Sequence, residues 1–87
     1  MELEEIRKEI DKVDNEIISL LARRKSLSRE VGRLKKTKNK PVFDKKREIE
    51  LITQINEKAK ELGLEEDFVV SLYDIILEDS KKEQEQM

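Results

Sequence analysis

The sequence predicts an all-α fold of three helices with a very long first helix, completed as a homodimer around a polar, net-positive interior site. Three observations predict it. Apolar residues recur at helical spacing through most of the chain, with no alternating β-rich run and no internal repeat. One proline, Pro41, and two glycines, Gly32 and Gly63, are the only strong punctuators. The first periodic stretch is too long to bury its stripe within a chain of 87 residues.

The first helix is expected over roughly 4–36. Ile6, Ile10, Val13, Ile17, Leu20, Leu27, Val31 and Leu34 follow a 4-3-4-3 spacing with one missing step. At 1.5 Å per residue this helix is about 50 Å long. A compact chain of this size is only about 30 Å across. The helix must therefore overhang its own domain, and its apolar stripe needs a partner. The simplest partner is a second copy with the long helices antiparallel. The competing architecture is a long-helix hairpin that docks a different protein. Lys36 to Lys40 and Pro41 read as a loop. The second helix is expected over 44–62, with Asp44 as N-cap and Gly63 as the C-terminal stop. The third is expected over 66–84, where Glu65, Glu66 and Asp67 suit the positive end of the helix dipole. The whole of 1–87 reads as one domain.

Composition narrows the function. Charged residues make up 46%, but 19 basic and 21 acidic residues nearly cancel to a net charge of −2. That balance argues against a nucleic-acid partner. With no cysteine there is neither a disulfide framework nor a thiolate metal site. With no histidine, the commonest metal ligand and the commonest general base are missing, so no metal is expected. No apolar run approaches the ~18 residues of a membrane span. The beginning, MELEEIRKEI, is acidic and amphipathic, unlike a secretory signal, so the expected location is cytoplasmic.

Each helix interrupts its apolar stripe with hydrogen-bonding side chains. The missing step of the first seam is Arg24. Lys35 lies eleven residues on, rotated by only about 20°, so the two point the same way. Arg7 lies seventeen residues before Arg24, about 25 Å away and about 100° round the helix. It cannot easily serve the same site in the same chain, but in an antiparallel dimer it can serve the partner's. In the second helix, Leu62, Ala59, Ile55 and Ile52 lead back to Glu48, with Arg47 and Asp44 beside it. In the third, Val69, Tyr73 and Ile76 lead on to Ser80 and then Gln84. Taken singly, these residues have bland readings. Arg24 is a register-setting seam residue, Lys35 a snorkelling surface lysine, and Arg47 and Glu48 surface charges near a helix start. Ser80 and Gln84 mark a fraying helix end. Taken together, Arg7, Arg24, Lys35 and Arg47 against Asp44 and Glu48 carry a net charge of +2. A buried cluster with that excess calls for an anionic ligand, because unpaired buried charge is very costly. A small dianion balances it.

With these residues in hand, the chain resembles the all-helical chorismate mutases. The resemblance runs ungapped from about Ile6 to Gln84, through IRKEIDKVDNEIISLLARRKSLSREVGRLK, KPVFDKKREIELI and FVVSLYDIILEDSKKEQ. LLARR alone is a weak motif; eight functional positions at matching spacing make the match specific. Phe43 and the charged surface vary from the family pattern, and no role rests on them. The family rearranges chorismate to prephenate, on the shikimate pathway to phenylalanine and tyrosine, without a cofactor. Members of this size are intertwined homodimers with two active sites. The resemblance implies that Arg24 and the partner's Arg7 bind substrate carboxylate. It implies that Lys35 pairs with carboxylate and donates to the ether oxygen, and that Gln84 donates to that oxygen from the other side. Glu48 is implied to hold the ring hydroxyl, supported by Asp44. Arg47 and Ser80 complete the polar wall, Ser80 near the ring carboxylate.

The inventory suits that chemistry. An intramolecular rearrangement needs no nucleophile, metal or proton transfer. It needs a flexible substrate folded into a near-attack geometry, and donors aimed at the oxygen where negative charge grows. Lys35 and Gln84 are suitable donors, and arginines grip carboxylates with paired hydrogen bonds. Two rivals stand beside this reading. An isochorismate–pyruvate lyase on the same fold shares the basic residues, although Glu48 and Ser80 favour the mutase. A non-catalytic helical interaction module treats Arg24 as a register device and binds no small ligand.

Overall fold

The chain forms α1 (Leu3–Thr37), α2 (Lys45–Glu61) and α3 (Glu66–Glu85) in a computed structural model that describes residues 1–41 and 44–86. Phe43 lies outside the described residues. Among the described residues there is no strand, and no helix is long and apolar enough to cross a membrane.

Local chemistry explains each boundary. α1 opens with Glu4 and Glu5 and closes with Lys35 and Lys36, charges that suit the helix dipole at both ends. α1 reaches one residue past its expected end at 36, so that Thr37, expected in the loop, continues the helix. Asn39 ends it by adopting a left-handed backbone, φ 55°. There its N–H reaches the Lys36 carbonyl at 3.2 Å, and the Lys40 N–H reaches that of Lys35 at 2.7 Å. Asp44 caps α2 as expected, its carboxylate accepting from the Arg47 backbone N–H at 3.1 Å. Gly63 ends α2 at φ 73°, and the same pair of bonds recurs. The Gly63 N–H reaches Lys60 at 3.2 Å and the Leu64 N–H reaches Ala59 at 2.8 Å. α3 starts after Glu65 with Glu66 and Asp67 in its first turn.

α3 packs against both α1 and α2, whereas α1 and α2 do not pack on each other. The small core is centred on Ala59 of α2 and Val69 of α3, both buried. Ile52, Ile55, Tyr73 and Ile76 of the expected seams lie half-buried. The radius of gyration is 16.1 Å, against about 12 Å for a compact chain of this length. The long dimension is 55 Å, close to the length of α1 itself. From Leu3 to residue 23 every α1 residue is exposed. The eight apolar residues of its heptad stripe are each 40–59% exposed. The overhang that the sequence requires is therefore present.

Candidate active site

Because α1 and α2 stay apart while α3 touches both, a cleft opens between them with α3 as its floor. It encloses a cavity of about 310 Å³. Each helix lines it with one face. α1 contributes Arg24, Ser28 and Lys35, α2 with its N-cap contributes Asp44, Arg47 and Glu48, and α3 contributes Ser80, Lys81 and Gln84. Leu27, Val31, Leu51 and Leu77 supply apolar wall between them. The spacings are those of a single helix face: 24, 28 and 35 on α1; 44, 47, 48 and 51 on α2; 77, 80, 81 and 84 on α3.

Seven of the eight residues picked out in the sequence thus surround one cavity: Arg24, Lys35, Asp44, Arg47, Glu48, Ser80 and Gln84. The eighth, Arg7, is on the exposed half of α1, ion-paired to Glu4 at 3.1 Å. It does not line the cavity of its own chain.

The polar contacts fix the floor. The Arg24 guanidinium donates to the Ser80 hydroxyl, and the Ser28 hydroxyl donates to the same oxygen at 3.2 Å. Ser80 and Ser28 are both buried, so one α3 hydroxyl ties two α1 side chains to the floor. Asp44 is engaged by the α2 backbone, which holds the first turn of α2 and with it Arg47 and Glu48. The side-chain oxygen of Gln84 is buried with no hydrogen-bond partner among the described residues, so none of them anchors the side chain through that oxygen. Among the described residues, the lining carries four cations (Arg24, Lys35, Arg47, Lys81) and two carboxylates (Asp44, Glu48), a formal charge of +2. That sign favours an anion.

Two polar lining residues and two apolar ones, Leu51 and Leu77, are not picked out by the sequence reading. Lys81 is one residue from Ser80, and its spacing of four from Leu77 is the available signal. Ser28 is one turn after Arg24 on the same face, a relation the sequence does display. Glu83, also missed, is buried beside the cavity and ion-paired to Arg29 and Lys25. The Arg29 hydrogen bond holds its carboxyl below the ordinary value, against an opposing push from burial, and the charges of Arg29 and Lys25 add to the lowering.

Comparison with known proteins gives one answer. The family model described as chorismate mutase type II matches residues 6–85. A chorismate mutase of Methanocaldococcus jannaschii is 36% identical over 97% of this chain and 85% of its own length. A bifunctional chorismate mutase/prephenate dehydratase of Escherichia coli is 33% identical over 86% of this chain, which spans only 19% of that longer protein. The solved structure of a conserved hypothetical protein from Pyrococcus furiosus superposes with a TM-score of 0.69 at 38% identity, covering 94% of this chain and 93% of that one. A match that takes in nearly the whole length, carried by relatives above 30% identity, places the chain in a family: it belongs to the chorismate mutases of type II.

Proposed function

We propose that this chain is a chorismate mutase, an isomerase that converts chorismate to prephenate in aromatic amino-acid biosynthesis. Family membership supports the activity. The observation that carries the site assignment is the cavity between α1 and α2, lined by polar side chains from all three helices with a formal charge of +2. Chorismate is a small dianion, opposite in sign to that charge, which the partner's Arg7 would raise to +3. We assign residues 1–87 to one chorismate mutase domain acting in the cytoplasm as an intertwined homodimer.

The rearrangement breaks one C–O bond as it forms one C–C bond, and negative charge develops on the ether oxygen. Arg24 and the partner's Arg7 hold carboxylate, which fixes the folded conformer of the substrate. Lys35 and the Gln84 amide donate to the ether oxygen and stabilise its growing charge. Glu48, steadied by the Asp44 cap, accepts from the ring hydroxyl. Arg47 and Ser80 close the polar wall, with Ser80 held by Arg24 near the ring carboxylate. The dimer is supported by the exposed stripe of α1 and by the distance of Arg7 from its own cavity. The test is incubation with chorismate and, separately, with isochorismate, following absorbance and identifying the product. Prephenate is expected; pyruvate with salicylate from isochorismate would give the site to the lyase reaction instead, and no turnover of either would remove the enzymatic reading.

A further inference from the structure

Beside the cavity, α1 and α3 are joined by a second polar layer that does not touch it. On α1, Lys25 and Arg29 lie one turn apart, each the sequence neighbour of a lining residue, Arg24 and Ser28. On α3, Asp79 and Glu83 lie one turn apart, each the neighbour of a lining residue, Ser80 and Gln84. Lys25 Nζ is 3.6 Å from both Asp79 Oδ1 and Glu83 Oε2. The Arg29 Nε–H donates to Glu83 Oε1. The lining layer and the ionic layer are thus the same pair of helix turns, shifted by one residue.

Glu83 is the unusual member. It is 8% exposed, the one charged residue among the described residues to be buried. It stands in the last turn of α3, which ends at Glu85. A carboxylate there opposes the helix dipole, and a terminal turn is where helices fray. Local helix chemistry gives no reason for an acid at this position, so its reason is tertiary: Arg29 and Lys25 clasp it. The same turn carries Gln84, whose side-chain oxygen makes no hydrogen bond of its own. What holds the Gln84 amide at the cavity is therefore the position of the backbone beneath it.

We infer that Glu83 is a positioning residue, which by its clasp with Arg29 and Lys25 pins the last turn of α3 against α1 and so presents Gln84 to the cavity. The inference rests on the assignment of Gln84 as an ether-oxygen donor. A loosened last turn leaves the substrate-binding arginines in place and moves the donor, so the loss belongs in kcat more than in KM.

The experiment is steady-state kinetics with chorismate on Glu83→Ala, the isosteric Glu83→Gln, Gln84→Ala and the Glu83→Ala/Gln84→Ala double variant. Helical content and dimer size are checked for each. Glu83→Ala is expected to lower kcat about tenfold with KM little changed, as for a catalytic group displaced by less than an ångström or so. Glu83→Gln, which keeps the shape and loses the charge, is expected to lose part of that and serves if the alanine variant does not fold. In the Gln84→Ala background the same Glu83 change should cost less than about twofold, since both act through one amide. Full additivity in the double variant would overturn the inference, as would wild-type kcat in Glu83→Gln and Glu83→Ala while Gln84→Ala is impaired. Wild-type kcat in Gln84→Ala is the separate result that removes the donor assignment and takes the inference with it.

Discussion

Arg7 and Arg24 belong to one helix and were read as serving one kind of site, yet their surroundings are opposite. Arg24 is half-buried and hydrogen-bonded across to α3. Arg7 has a side chain 63% exposed and is paired, among the described residues, with its neighbour Glu4 one turn away. The difference extends to the two halves of α1. Every buried or half-buried residue of that helix, Arg24, Ser28, Gly32 and Lys35, lies beyond residue 23. The earlier half repeats the same heptad stripe and finds nothing among the described residues of its own chain to cover it. One sequence pattern thus does two jobs: the second half of α1 builds a wall of the cavity, and the first half is an arm. The lesson is geometric. A helix of 35 residues is about 52 Å long at 1.5 Å per residue, and two shorter helices cannot roof it. An exposed arm with an apolar stripe and Arg7 is what the proposed pairing with a second copy of the chain would use.

The largest effect that can break this comparison comes from separating the two halves onto different chains. Arg7→Ala and Lys35→Ala should each lower kcat/KM by up to about a thousandfold, the upper end for removing one group that stabilises developing charge. If the arm serves the partner, a re-equilibrated mixture of the two contains heterodimers with one wholly intact site and one doubly damaged site. Random pairing makes half the dimers mixed, so activity should return to about a quarter of wild type per protomer. Mass spectrometry verifies that heterodimers form. If they form and activity stays flat, Arg7 acts within its own chain and the two halves of α1 are not divided as described.

A somewhat smaller effect sharpens the account of the cavity half. Gln84→Glu preserves shape but, when ionised, only accepts hydrogen bonds. It puts negative charge where negative charge must grow. At neutral pH kcat/KM should fall by about a hundredfold or more. It should recover as pH is lowered through the new carboxyl's pKa, which desolvation raises and nearby Lys35 lowers. Wild type should show no such acid-side gain, because an amide does not titrate. Parallel pH profiles for the two proteins would return Gln84 to the wall.

The two halves also differ in how much of them the sequence discloses. The arm was fully legible, because an overhang follows from length and periodicity alone. So were the caps: Asp44 and Gly63 each act where expected, since capping depends on a few neighbouring residues. Asn39 was not foreseen in the left-handed position, which asparagine fills less often than glycine. In the cavity half, the interruptions at Arg24, Glu48 and Ser80 were visible because a polar residue on an apolar line is conspicuous. Lys81 and Glu83 were not, because in a chain with 46% charged residues another lysine or glutamate looks like solvated surface. Their burial comes from the α1–α3 and α2–α3 contacts, and periodicity names the face of a helix without naming what it meets.

The smallest expected effect tests the tie between α3 and the cavity half by pH. The Glu83 carboxyl is held below its ordinary value of 4.5, chiefly by the Arg29 hydrogen bond. A carboxyl with a lowered folded-state pKa contributes stability that is fully present above the unfolded-state value. That contribution is lost as pH falls through the folded-state value. The difference in stability between wild type and Glu83→Gln should therefore be flat from about pH 5.5 to 8 and shrink below about pH 4.5. Other carboxylates titrate in both proteins and cancel in the difference. The effect is small because Lys25 and Arg29 remain nearly half exposed, at 43% and 46% of their side-chain surface, and water screens such pairs. Urea unfolding at one fixed protein concentration measures it, the concentration being held because the stability of the proposed dimer would depend on it. Hydrogen exchange then locates it: acid should release protection around 24–37 and 79–85 before it touches the arm at 3–21, whose proposed contact with a second copy would be made by its apolar stripe. A difference that stays constant down to pH 3 would mean that Glu83 contributes through shape and not charge. Early release of the arm would mean that the two halves of α1 are held by the same forces after all.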